Sequence, residues 1–344
     1  MKKTLSICIP TYNRIKELSE VIESLLTIES DDFEIVITDN LSTDNTQEKI
    51  TSYEDARVRY CRNEEALPPF INMIHSIFNA KGKYALYCND RDILFPEKIE
   101  NLIDVLRNNE FAFVWSPAKT SNCNGQLKEF SQGYESLMNN ESIHHPTGMI
   151  YNRDLIEAHL NEPDYSDYLQ YINTYDFLML DLFMYGKSAH YYSGYWGTRP
   201  VEFIKKNKSG TRMYFSPEIR ELMFYGISDH IFLQNDYKLT EEQSKNLLKK
   251  VYIDFCYLIC KYKACMADEN ETAHYGIEPK NIPTLEILRI YKEFFKRSVE
   301  HLKKNGYDDA LIEHINNNKG YFYSLIFKYC FKINLINIVK KIKG

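Results

Sequence analysis

The chain has 344 residues, 44% of them hydrophobic and 26% charged, enough for one large α/β domain with an extension or for two domains. Its formal charge of -6 excludes a general nucleic-acid binder, which needs a basic field. The eight cysteines hold no CxxC pair and no Cys/His group at zinc spacing, so reduced, cytosolic thiols are expected. The chain enters a strand almost at once, and no run of about 18 apolar residues occurs. A cytoplasmic protein with neither a signal peptide nor a spanning helix is expected.

In chain order, Leu5 to Ile9 is an apolar run of strand length that breaks at Pro10-Thr11-Tyr12-Asn13-Arg14. Leu18, Val21, Ile22, Leu25 and Leu26 then recur at helical spacing. Phe33 to Thr38 predicts a second strand ending in Asp39-Asn40, with Ser42-Thr43-Asp44 offering a cap to the next helix. Val58 to Cys61 is a short third strand, and Pro68-Pro69 opens a helix carrying Ile71, Ile74, Ile77 and Phe78. Tyr84 to Cys88 is a fourth strand. It ends abruptly in Asn89-Asp90-Arg91-Asp92, after which Pro96 opens another helix.

Four alternations of strand and helix predict a parallel sheet with right-handed crossovers. In such a sheet the loops after the strands lie on one edge, where open α/β sheets bind ligands. Two carboxylates as close as Asp90 and Asp92 repel each other unless a cation or a hydrogen-bond donor joins them. A solvated acidic loop capping the helix at Pro96 is the plainer reading of the same residues. No G-x-G-x-x-G follows the first strand and no P-loop motif occurs, which excludes a dinucleotide fold and a P-loop NTPase.

The runs Ile7-Cys8-Ile9-Pro10-Thr11-Tyr12-Asn13-Arg14 and Glu34-Ile35-Val36-Ile37-Thr38-Asp39-Asn40, followed in order by Asn89-Asp90-Arg91-Asp92, resemble the family 2 glycosyltransferases of the GT-A fold. The resemblance is close over about the first 110 residues and looser to about residue 215. It is nearest to bacterial enzymes of capsule, O-antigen or protein-glycan synthesis. It implies a Rossmann-like, mainly parallel sheet flanked by helices over residues 1–215, and an α-helical C-terminal region over 216–344. The implied reaction is inverting transfer of a sugar from a nucleotide diphosphate, most simply a UDP-sugar, to a hydroxyl of a glycan, lipid-linked or protein-linked acceptor.

On this resemblance Pro10, Thr11, Tyr12, Arg14, Asp39, Asn72, Asn89, Asp90 and Arg91 belong to the nucleotide-sugar site. Tyr12 can stack on a base, and Asp39 can accept a uracil imide N–H; packing and an Asx-type cap are the structural alternatives. Asp92, with Asp90, falls where the family carries its D-x-D motif, implying Mn²⁺ or Mg²⁺. Arg91 departs from the usual middle residue of that motif. It reaches the phosphates or pairs with a neighbour such as Glu97. Thr147-Gly148 matches the acceptor side, and Asp176 is the expected base, with Asp181 in reserve. The family usually shows Glu-Asp where this chain has Tyr175-Asp176. Lys205, Lys208 and Arg212 suit a loop closing on the diphosphate, or a solvated linker. His144-His145 lacks a third ligand at zinc spacing and reads as ordinary or acceptor-side.

From Pro217 onward the pattern is helical, fitting an extension that packs on the catalytic domain or forms a homodimer contact. Residues 321–344 combine aromatic and aliphatic residues with lysines and no acid. Such a helix lies on an anionic membrane surface or docks on the core, and the first arrangement would put the protein at the inner face of the cell membrane. Two rival functions remain: a nucleotidyltransferase, which would normally show a Gly-rich basic loop after the first strand, and a non-catalytic partner subunit.

Overall fold

The computed structural model describes residues 2–120, 122–139, 145–160, 175–199, 214–273 and 275–343. They divide into two compact units, the first ending at Arg199 and the second beginning, among described residues, at Tyr214.

The first unit is a mixed sheet flanked by helices. Its strands are β1 (Leu5–Thr11), β2 (Phe33–Asp39), β3 (Val58–Arg62), β4 (Tyr84–Tyr87), β5 (Ile93–Leu94), β6 (Phe113–Trp115), β7 (Leu127–Phe130), β8 (Met149–Asn152), β9 (Ser188–Tyr191) and β10 (Trp196–Gly197). Its helices are α1 (Ile15–Leu25), α2 (Thr46–Thr51), α3 (Pro69–Phe78), α4 (Pro96–Arg107), α5 (Tyr134–Asn139), α6 (Arg153–His159) and α7 (Tyr175–Leu182). The main sheet runs β3-β2-β1-β4-β8-β6-β9-β7. β3, β2, β1 and β4 are mutually parallel, while β8 is antiparallel to both β4 and β6.

β1 and β2 are buried almost throughout because helices cover both faces, which is why they read as continuous apolar runs. α1 buries Leu18, Val21, Ile22 and Leu25, and α4 buries Ile99, Leu102, Ile103 and Leu106, each a stripe at helical spacing joined to the same core. Glu34, an acid inside β2, is buried because Ser6 Oγ donates to it and Arg59 pairs with it. The register sets Thr11 opposite Asp39, and Cys88 N donates to Cys8 O just beyond the paired ends of β1 and β4. The loops after β1, β2 and β4 therefore share one edge. β8 runs the other way, so the residues before it, Thr147 and Gly148, arrive at that edge too.

Two local expectations differ in detail. The helix after β2 starts at Thr46, later than Ser42-Thr43-Asp44 suggested, because Ser42 is committed to the loop after β1. The residue pattern from 174 to 187 predicts an amphipathic helix closed by Gly186, whereas the helix holding Asp176 stops at Leu182, and Gly186 lies beyond it.

The second unit is helical: α8 (Pro217–Asp229), a π-helical turn at His230–Gln234, α9 (Glu241–Met266), α10 (Glu269–Ala273), α11 (Thr284–Lys304), α12 (Asp309–Asn317) and α13 (Lys319–Lys343). Thr240 and Gln243 form a reciprocal capping box at the start of α9. The core is aromatic, with Phe224, Tyr252, Phe255, Phe294 and Phe322 among its members. α13 docks one face there through Phe322, Ile326 and Cys330. Among the described residues, no helix is long and apolar enough to cross a membrane.

Candidate active site

The loops after β1 and β2 are tied together by side chains. Asn13 N donates to Ser42 Oγ at 2.9 Å, and Asn13 Oδ1 accepts from the Thr43 and Asp44 amides. Asn13 (φ 54°) and Leu41 (φ 64°) both occupy the left-handed region, which a leucine rarely adopts. Backbone held in that way gathers at functional sites. Beside these loops Tyr12 is 55% exposed, an aromatic face at a strand end free to take a flat partner. Pro10 lies within β1 opposite Thr38.

Asp39 is wholly buried at the end of β2. It accepts from Ser42 N at 2.8 Å, Tyr60 OH at 2.5 Å and Arg62 Nη1 at 2.9 Å. Burial and then the Asp39 hydrogen bond push the Tyr60 hydroxyl up to about 12. Asn72 is also buried. Its Oδ1 accepts from Asn63 Nδ2, which also donates to Asn40 Oδ1. Asn40 in turn holds both the amide and the carbonyl of Leu67. Asn72 thus helps anchor the loop between β3 and α3.

The two carboxylates after β4 are in different situations. Asp90 accepts from Thr11 Oγ1 and from Arg14 Nη1, both at 2.9 Å, one to each oxygen. Burial raises its pKa, and the Arg14 charge and hydrogen bonds pull it back. Asp92 is also buried, and its Oδ2 accepts from Thr147 Oγ1 and Asn89 Nδ2. Among the described residues, the hydrogen bonds to its side chain fall on Oδ2. Asn89 is fixed in turn by Tyr87 OH and by Thr147, so one threonine before β8 organises the whole turn.

Gly148 follows with φ 108°, and a Cβ there would lie 2.4 Å from Ser116 O and 2.5 Å from Trp196 Nε1. Only glycine admits the indole, whose Nε1 donates to Ser116 O. Trp196 is brought in by the two-stranded pairing of β10 with β5, next to Asp92 in sequence. Its ring stacks on His145, with centroids 5.0 Å apart. His145 Nδ1 is buried without a hydrogen-bond partner, 3.7 Å from Asp92 Oδ2. Burial holds the imidazole below its ordinary pKa, with Asp92 pulling the other way, so it is neutral near pH 7. Arg91 is half-buried, and its carbonyl accepts from Arg199 Nε at 3.0 Å.

The structure therefore gathers Thr11, Arg14, Asn89, Asp90, Asp92, Thr147 and Gly148 around one sheet edge, with Asp39 at the adjoining strand end. Asp176 lies buried in the first turn of α7, and half-buried Asp181 lies further along that helix. Lys205, Lys208 and Arg212 lie outside the described residues. Sequence reasoning missed Tyr60, Arg62, Trp196 and the position of His145. The last two arrive through antiparallel pairings of β8 and β10, which no short motif signals.

The donor set suits a hard divalent ion. Asp92 has an oxygen clear of the Thr147 and Asn89 hydrogen bonds, whereas Asp90 is occupied by Arg14 and Thr11. Among the described residues no three His, Cys, Asp or Glu side chains converge as a closed metal cage.

Residues 6–161 match the family model described as glycosyl transferase family 2. A Rickettsia felis protein named as an uncharacterized glycosyltransferase is 35% identical over 127 residues, 36% of this chain and 21% of that protein. The Escherichia coli UDP-Glc:alpha-D-GlcNAc-diphosphoundecaprenol beta-1,3-glucosyltransferase WfgD is 26% identical over 126 residues, 37% of this chain and 50% of that protein. The chain spans at most half the length of these two curated relatives. S. aureus TarS 1-349, solved in complex with UDP-GlcNAc, shares the fold with a TM-score of 0.57 at 13% identity, over 95% of this chain and 91% of that one. The strand-end motifs thus lie in a segment that matches glycosyl transferase family 2, on a fold shared with TarS 1-349.

Proposed function

We propose that the chain transfers a sugar from a nucleotide diphosphate donor to an acceptor hydroxyl, with inversion and with a divalent cation at the diphosphate. The observation that carries this reading is the convergence of Tyr12, Asp39, Asp90 and Asp92 on the carboxyl-terminal edge of β1, β2 and β4. Tyr12 offers its exposed face to the base. Asp39, already gripped by Tyr60 and Arg62, shapes the base end of the pocket together with those two side chains. Arg14 and Thr11 hold Asp90 as a fixed anion toward the ribose.

Asp92 is the residue to hold Mn²⁺ or Mg²⁺, with neutral His145 Nδ1 as a second donor beside it. When bound, the ion supplies Lewis-acid stabilisation to the departing diphosphate. Asp176 takes the proton from the acceptor hydroxyl. The acceptor oxygen then bonds to the anomeric carbon as the bond to the diphosphate breaks, so one carboxylate suffices. A glycoside hydrolase would need two acids flanking the bond.

A UDP-sugar is the favoured donor, in keeping with the UDP-Glc in the name of WfgD and the UDP-GlcNAc bound to TarS. A lipid-linked glycan is the favoured acceptor class, in keeping with the diphosphoundecaprenol in the name of WfgD. The test is release of UDP from a panel of UDP-sugars with and without Mn²⁺, for the natural chain and for Asp92→Ala and Asp176→Asn. Metal-dependent release lost in Asp92→Ala, with Asp176→Asn binding donor but not transferring, is expected. No metal-dependent turnover of any nucleotide sugar by the natural chain would overturn the reading.

A further inference from the structure

α13 carries two apolar stripes back to back. Phe322, Ile326 and Cys330, spaced by four residues, are buried in the helical core. Phe327, Phe331 and Leu335, with the same spacing on the other side, are 61%, 57% and 48% exposed. Tyr321 extends this outer face at 46% exposure, and Lys328 and Lys332 stand between its apolar residues, both exposed. Lys249 of α9 sits 4.9 Å from the Tyr321 ring centroid and adds a cation to the same surface. A contiguous exposed aromatic patch of this kind marks an interaction site.

Charge selects the occupant. α13 has six lysines and no acid, in a chain whose formal charge is -6. A second copy of the same face would set these lysines against each other. An anionic surface with an apolar layer beneath it matches both features: phenylalanines enter the layer and lysines stay with the headgroups. The helix is not built to span a bilayer, since no described helix passes as a membrane span. We propose that the outer face of α13 docks the protein on a bilayer bearing anionic headgroups. This surface belongs to the helical unit and stands independently of the catalytic assignments.

The test is co-sedimentation of the full chain with vesicles of phosphatidylglycerol and phosphatidylethanolamine, against vesicles of phosphatidylcholine alone, at low and high salt. The natural chain should partition to the anionic vesicles and release in salt. Phe327→Ser with Phe331→Ser, and separately Lys328→Glu with Lys332→Glu, should each weaken binding at least about tenfold. All these positions are exposed, so helical circular dichroism and UDP release without vesicles should stay unchanged. The proposal fails if the natural chain does not bind anionic vesicles, or if both double variants bind as it does. It also fails if the chain forms a dimer that the variants dissolve while no vesicle binding is seen.

Discussion

Replacing Arg14 by Met tests how far the buried carboxylate of Asp90 depends on its cation. The Asp90 side chain is 4% exposed and accepts from Arg14 Nη1 and Thr11 Oγ1, each at 2.9 Å. Methionine keeps much of the apolar stem of Arg14 and leaves a buried anion with one neutral donor. A hydrogen bond to a charged group is worth about 1.5–3 kcal/mol, and breaking a fully buried ion pair costs about 3–5 kcal/mol. Arg14 is 31% exposed, so water screens part of the pair, and a loss of about 2 kcal/mol is expected.

The pH dependence has a definite sign. Burial raises the folded-state pKa of Asp90 above its unfolded value, so the folded state holds more protons between the two. Ionisation of Asp90 therefore weakens the fold as pH rises from about 3.9 through the folded pKa. Losing Arg14 raises that pKa further. The deficit should be largest near neutral pH and shrink on acidification. Both tryptophans, Trp115 and Trp196, lie in the first unit, so their fluorescence in urea follows that unit. Adding Asp90→Asn to Arg14→Met should recover much of the loss, because it removes the stranded charge. A loss below about 0.5 kcal/mol, or a deficit that grows as pH falls, would refute the reasoning.

Three further outcomes are expected. Gly148→Ala should destabilise the first unit by at least about 2 kcal/mol and shift Trp196 emission, because the new methyl meets Ser116 O and the indole at a positive φ; unchanged urea curves would contradict this. Burial pushes His190 down to about 4, so the unfolded chain takes up its proton first, and stability is lost as pH falls from about 6.5 toward 4, by up to about 3 kcal/mol. His190→Gln should flatten that part of the pH profile. Of the eight free cysteines, Cys61 and Cys123 alone are not buried, so a thiol reagent should label at most these two quickly in the native chain and all eight in denaturant.

The alternation of apolar runs and helical stripes up to Cys88 was enough to foretell the parallel half of the sheet. β1, β2 and β4 are buried on both faces, and α1 and α3 each show one apolar side. The same local patterns marked where the strands end, and so the candidate residues Thr11, Asp39, Asp90 and Asp92. They could not show that Asn72 would bond to Asn63, or that Asp39 would be enclosed by Tyr60 and Arg62. Those partners are chosen by side-chain packing across separate loops.

Local pattern alone carried a strand-helix repeat, acids at two of its strand ends, and a basic, aromatic final helix. Local periodicity and composition carry that information because burial and solvation act residue by residue along each element. Contacts between distant segments put Arg14 on Asp90, set His145 and Trp196 beside Asp92, and gave the two faces of α13 different surroundings. The antiparallel turn of β8, the β5–β10 pairing and the docking of α13 each join residues far apart in the chain, and no short motif encodes a contact made at that distance.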